Sequence, residues 1–151
     1  MKEVELMSII YECEDLDYRG YGVSKSAEKV TFIKGLLPGE TATIKNIKDY
    51  NNYQEGEVLK ILQTAKIRKS SNDTLDHMPL SHLEVYEQIK FQAKITKETL
   101  EKSLKKEVIF SSSIFDNNFN YYRNKATYHV NNDEYLKIGI FQENSHVLVE
   151  I

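Results

Sequence analysis

A chain of 151 residues, 40% hydrophobic and 11% aromatic, is long enough for one average domain or two small ones and too apolar to be a disordered tract. Its formal net charge of −3 excludes a surface coated in positive charge, so any contact with nucleic acid must come from a local patch. The single cysteine, Cys13, excludes an internal disulfide framework and an all-cysteine metal site.

No apolar run approaches the roughly 20 residues that span a bilayer, and the Met1-Lys2-Glu3 start does not read as a signal peptide. No membrane partner is therefore expected, and a reducing cytoplasm is the expected compartment.

The first sixty or so residues read as short strands divided by turn chemistry. Residues 4–14 form the first expected strand. Residues 15–22, with Gly20 and Gly22, form a turn-rich connector in which glycine allows positive φ. Val30-Thr31-Phe32-Ile33 is a compact β-type run, and Pro38-Gly39 marks a tight turn. Residues 41–47 alternate, and residues 55–62 supply a last strand. Short strands at this spacing suggest a small closed barrel, expected to be five-stranded.

Residues 64–80 are polar and weakly patterned and read as a linker. A helix is expected from Ser81, which can cap it, with Glu84 completing a capping box. Leu83, Tyr86, Ile89 (or Lys90), Ala93, Leu100 and Leu104 fall roughly at three- and four-residue steps and predict one apolar stripe. Lys94, Lys97, Glu98, Glu101 and Lys105 fill the opposite side. Strands are then expected at 108–110, 127–130, 135–141 and 147–151, with a hairpin turn at 131–134. A chain ending inside a strand reads as cut short.

The fold class expected is therefore β-rich in two units: a small OB-like barrel over 1–63, then a partial α+β domain over 81–151 with one long helix and antiparallel strands. The charge does not favour either half as a simple RNA-coating surface. Residues 1–62 carry eight Lys and Arg against eleven Asp and Glu, and residues 63–151 carry twelve of each.

Three stretches, in order, carry a resemblance. The first is Asp15-Leu16-Asp17-Tyr18-Arg19-Gly20-Tyr21-Gly22-Val23, continued by Val30-Thr31-Phe32-Ile33 and Leu37-Pro38-Gly39-Glu40. The second is His77-Met78-Pro79-Leu80-Ser81-His82-Leu83-Glu84-Val85-Tyr86-Glu87-Gln88, leading to Lys94. The third is Tyr122-Arg123-Asn124-Lys125-Ala126, followed by Ile138-Gly139-Ile140-Phe141 and Ser145-His146. Together they resemble the N-terminal region of the RNA uracil-C5 methyltransferases, which modify ribosomal and transfer RNA. The first stretch is similar to that family's TRAM domain, and the third to the start of its central domain.

The resemblance implies structured RNA as partner, ribosomal RNA ahead of transfer RNA. It also implies S-adenosylmethionine, a cysteine nucleophile and a general base in a domain beyond Ile151. The full-length protein would then be the enzyme, and this chain alone is expected to be inactive, with no catalytic residue and no cofactor of its own. Many members hold a [4Fe–4S] cluster on four cysteines, three of them just before the stretch matching residues 77–83. Residues 68–76 lack cysteine there, so no iron–sulfur cluster and no metal are expected.

The candidate RNA-binding residues are Arg123, Lys125, Tyr18, Arg19, Tyr21 and Lys25. Arg123 and Lys125, alternating along an extended segment, would share one face suited to phosphate, Arg with a bidentate fork. A solvated strand edge with a salt bridge is the plain alternative. Tyr18, Arg19, Tyr21 and Lys25 combine rings that stack bases with cations that track a backbone, or they simply cover a barrel mouth. His77, His82, His129 and His146 fit no ligand spacing and read as structural. Cys13 has no base nearby and reads as a strand residue. Two other functions remain open: a stand-alone RNA- or ribosome-binding module without enzymatic activity, and a protein-interaction domain whose barrel no longer binds RNA.

Overall fold

In the computed structural model, residues 9–69, 79–115, 124–132, 135–141 and 146–150 are described. Short alternating stretches become strands here because each has one face to bury. Strand β4 (Val30–Lys34) is the plainest case: Thr31 and Ile33 are buried, while Val30, Phe32 and Lys34 face outward. The sheet also contains β1 (Tyr11–Glu12), β2 (Asp15–Leu16), β3 (Gly22–Ser24), β5 (Thr41–Asp49) and β6 (Tyr53–Gln63), in the order β1-β5-β6-β4-β3-β2. All neighbours are antiparallel except β4 and β6, which run parallel over five residue pairs.

The two edges of this sheet are halves of one extended segment. The Cys13 N–H donates to the Glu40 carbonyl (3.0 Å), and the Glu14 N–H donates to the Val23 carbonyl (2.9 Å). Consecutive residues thus bond to opposite edges, and the sheet curls into a half-barrel. Gly22 makes the bend possible: a Cβ there would lie 2.6 Å from the Leu36 carbonyl oxygen and 2.8 Å from Cys13 Sγ. Tyr11, Cys13, Ile33, Leu36 and Ala42 fill the interior.

Six strands stand where five were expected: the segment at 11–16 pairs twice, and the stretch 15–22 read as a connector holds β2 and the first residue of β3. Residues 4–8 of the expected first strand lie outside the described residues.

A second apolar cluster, Leu16, Leu37 and Leu83, is flanked by Ile67, Leu80 and Phe91 and fastens the following segment to the barrel. The described part of 64–80 is therefore no free tether. Arg68 and Leu83 form an antiparallel bridge, the Lys69 N–H donates to the His82 carbonyl, and the Glu84 N–H donates to the Ile67 carbonyl. This pairing holds residues 82–84 extended, so the helix cannot begin at Ser81. It begins after Glu84, as α1 (Val85–Leu104), with no side-chain cap bond. The expected Ser81–Glu84 capping box is corrected accordingly, and Ser81 Oγ is buried without a hydrogen-bond partner.

The expected apolar stripe of α1 exists as a pattern but is not a core face. No α1 residue is buried, and Tyr86, Leu100 and Leu104 are exposed. The helix meets the half-barrel along its first half, through Phe91 packing and a Lys94–Asp15 salt bridge of 2.6 Å.

Residues 108–110, expected as a strand, are irregular. A three-stranded antiparallel sheet follows, of β7 (His129–Asn132), β8 (Leu136–Phe141) and β9 (Leu148–Glu150). The β7–β8 register, Asn132 opposite Leu136, makes the pair a hairpin. Asn131 and Asn132 of the expected turn are strand residues, while Asp133, Glu134 and Ile151 lie outside the described residues.

Candidate nucleic-acid interface

The β2–β3 hairpin is built around one carboxylate. Asp17 Oδ1 accepts the backbone N–H groups of Arg19 and Tyr21 (2.9 Å each), while its Oδ2 accepts from Arg19 Nε (2.7 Å). Gly20, at φ 84°, closes the turn. Arg19 is thereby aimed across the sheet, where Nη1 donates to Glu55 Oε1 of β6 at 2.8 Å. Burial opposes its charge, but the bonds to Glu55 and Asp17 outweigh it and hold the guanidinium above its ordinary pKa. Arg19 is thus not a loose cation waiting for a phosphate; it is a fixed plate.

Rings gather round that plate. The Arg19 guanidinium carbon lies 4.5 Å from the centroid of Tyr21, 5.5 Å from Phe32 and 5.8 Å from Tyr18. Phe32 meets Tyr53 edge to face at 5.6 Å, and Tyr53 stacks on Tyr50 at 4.5 Å. A continuous strip runs from Tyr18 in the β2–β3 turn, over Phe32 of β4 and Tyr53 of β6, to Tyr50 in the β5–β6 turn. Both ends face water: Tyr18 is 77% exposed and Tyr50 39%. Lys29 fixes the far end, its Nζ donating to Asp49 Oδ1 and to the Tyr50 carbonyl (2.7 Å each).

Beside Tyr21 lies a cleft of about 130 Å³ lined by Lys34, Asn46, Lys48, Glu55 and Glu57. Asn46, at φ 53° within the irregular stretch of β5 between Lys45 and Lys48, turns its amide onto Glu57 (3.0 Å).

The structure brings Tyr18, Arg19 and Tyr21 together. Lys25 stands apart, its Nζ held by Glu14 Oε2 at 2.8 Å. Lys125 is exposed on an irregular stretch, and Arg123 lies outside the described residues. Phe32, Tyr50 and Tyr53 are the strip residues that sequence reasoning missed. The outward parity of Phe32 beside buried Thr31 and Ile33 was the available signal.

Cys13 is buried, its Sγ donating to the Asp15 carbonyl (3.2 Å), and burial pushes the thiol up to about 12, which suits a packed thiol and not a nucleophile. Among the described residues no three His, Cys, Asp or Glu side chains come together as a metal site. His77 lies outside the described residues. His82 is buried, while His129 and His146 pack against Phe141 at 4.2 and 5.9 Å. Among the described residues no helix is long and apolar enough to cross a membrane.

The described residues thus define a β-rich chain whose half-barrel presents an aromatic and cationic strip. No family model matches the chain. It is similar to proteins named as uncharacterized RNA methyltransferases from Enterococcus faecalis (34% identity over 91% of this chain and 32% of the relative) and Lactiplantibacillus plantarum (34%, over 91% and 31%). It is also similar to the 23S rRNA (uracil(1939)-C(5))-methyltransferase RlmD of Histophilus somni, at 30% identity over 91% of this chain and 33% of the relative. The chain spans about a third of the length of these curated relatives.

Proposed function

We propose that this chain is the RNA-recognition N-terminal portion of an S-adenosylmethionine-dependent RNA uracil-C5 methyltransferase acting on ribosomal RNA. The observation that carries the reading is similarity along 91% of the chain to proteins named RNA methyltransferases. In this reading residues 1–63 are a TRAM domain of OB type, residues 64–80 connect, and residues 81–151 begin the central α+β domain. The strip adds physical support, since ordered rings and an Arg plane are what single-stranded nucleic acid stacks on.

The chain's own task is positioning. A uridine inside a folded RNA must leave its stack before C5 can be methylated, and a surface that grips neighbouring nucleotides can hold the strand while it does. Among the described residues none of the six glycines lies just before α1, where a phosphate- or ribose-binding loop would open a helix, so the proposal assigns the methyl donor no site on this chain. An iron–sulfur cluster forms no part of the proposal, because Cys13 is a lone, buried and protonated thiol.

Binding of the chain to a structured 23S rRNA fragment, followed across a salt series, tests this. Affinity is expected to fall as salt rises, through counterion release, with neither S-adenosylmethionine binding nor methyl transfer by the chain alone. Absence of RNA binding at any salt would overturn the reading, and so would methylation by these 151 residues.

The double variant Arg123→Ala/Lys125→Ala is expected to weaken binding and reduce the salt slope by roughly one unit per lost phosphate contact, with stability changed by only about 0.5 kcal/mol. An unchanged slope would remove both residues from the interface.

A further inference from the structure

The strip permits a sharper statement about the form of RNA it takes. We infer that the strip from Tyr18, Arg19 and Tyr21 of the β2–β3 turn, through Phe32 of β4 and Tyr53 of β6, to Tyr50 of the β5–β6 turn is a stacking platform for unpaired nucleotides. The inference rests on the RNA-binding reading above and narrows it to one surface and one class of ligand.

Three observations carry it. First, the rings are pre-ordered: each touches the next or the Arg19 plate, and the plate is locked by Asp17 and Glu55. Little side-chain entropy remains to be lost when a base arrives. Second, the ends of the strip are open to water, Tyr18 far more than a ring needed for packing would be. A ring face in water is a site for another flat apolar surface.

Third, the charge around the strip nearly cancels. Asp17, Asp49 and Glu55 are paired with Arg19 and Lys29, and Lys34 and Lys48 share their cleft with Glu55 and Glu57. Such a surface suits a duplex poorly, since the outside of a duplex is phosphate and its base faces are hidden. It can hold a single strand, whose base faces are free and sequence-tolerant partners for rings. Lys34 and Lys48 then stand at the border of the strip, within reach of the linking phosphates.

The stacking contribution should be largely independent of salt, unlike the phosphate contacts assigned to Arg123 and Lys125. This separates the two surfaces experimentally. Fluorescence anisotropy would compare the chain and its variants on an unstructured, labelled single-stranded RNA, on the same sequence as a duplex, and on the structured rRNA fragment. Single strand is expected to bind more tightly than duplex. Tyr18→Ala and Tyr50→Ala should each weaken single-strand binding by about tenfold while leaving the salt slope unchanged. Tyr18→Phe and Tyr50→Phe should bind as the parent does, because the ring and not the hydroxyl makes the contact. Tyr18 is exposed enough that its loss leaves the fold intact, which circular dichroism would verify.

Equal affinity of the Tyr18→Ala/Tyr50→Ala chain and the parent for single-stranded RNA would overturn the platform while leaving RNA recognition standing, provided the structured fragment still binds. Preference for duplex would overturn it too. Failure to bind any of the three RNAs would remove the broader reading and the platform with it. Binding of a proline-rich peptide, with no oligonucleotide bound, would reassign the strip to a protein partner.

Discussion

Arg68→Ala is expected to lower the free energy of unfolding by about 3–5 kcal/mol, the usual effect of stripping one partner from a buried ion pair. Glu40, fully buried, accepts from Arg68 Nε and Nη2 (2.7 Å each), from the Leu37 N–H (2.9 Å) and from the Ala65 N–H (3.2 Å). Arg68 Nη2 also donates to the Gly35 carbonyl at 2.7 Å. Burial works against the Glu40 charge, but Arg68 and the two backbone donors outweigh it and keep the carboxyl below its ordinary pKa. Removal of the guanidinium would strand that charge and unfasten residues 65–69 from the barrel.

Urea denaturation monitored by circular dichroism would measure the loss. In a Glu40→Gln background the same Arg68→Ala change should cost less, because no ionised carboxylate is left behind. A loss below about 1 kcal/mol in the parent background would place the pair among ordinary surface bridges and sink the argument.

This pair marks one boundary of what the sequence could tell. Glu40 belongs to Leu37-Pro38-Gly39-Glu40, a stretch prominent in the resemblance, yet its partner lies 28 residues on in a segment that looks like a linker. Local periodicity registers strands and turns. It does not register a long-range charge pair that draws a polar segment against a barrel. The same pairing explains the misplaced helix start. Ser81 and Glu84 have the spacing of a capping box, but tertiary bonds from residues 67 and 69 claim that backbone first.

The candidate site was legible in part for a related reason. Tyr18, Arg19 and Tyr21 are neighbours in sequence, so the hairpin displays them together. Tyr50 and Tyr53 join them only because β6 lies parallel to β4, with Val30 opposite Tyr53 and Phe32 opposite Glu55. A parallel neighbour cannot be reached by a tight turn, so nothing local announces it. Lys25 sits in the same stretch but apart from the rings, its Nζ paired with Glu14. The apolar stripe of α1 was legible as a pattern, whereas its exposure depends on what else packs nearby.

His82 shows the same limit and leads to the second large expectation. Stability should fall by roughly 3 kcal/mol between about pH 6.5 and pH 4 through this one side chain. The imidazole is 4% exposed, and neither ring nitrogen has a hydrogen-bond partner among the described residues. Burial, and then the nearby Arg68 charge, push its pKa down from 6.5 to about 4, with Glu40 pulling weakly the other way.

The sign follows from which state takes the proton. Above pH 6.5 both folded and unfolded chains hold a neutral ring, and the full stability is present. As pH falls through 6.5 the unfolded chain is protonated first, so unfolding gains about 1.4 kcal/mol for each further pH unit. The penalty levels off near pH 4, where the folded state must take the proton as well. Glu40, with its lowered pKa, adds a loss in the same direction at still lower pH. Urea midpoints at pH 7.5 and pH 4.5 would therefore differ clearly in the parent. In His82→Leu, which fills the same apolar space without a titrating ring, most of that difference should vanish, whatever the variant's stability at pH 7.5. A His82→Leu chain that loses as much stability on acidification as the parent would show that the ring is not the group being protonated.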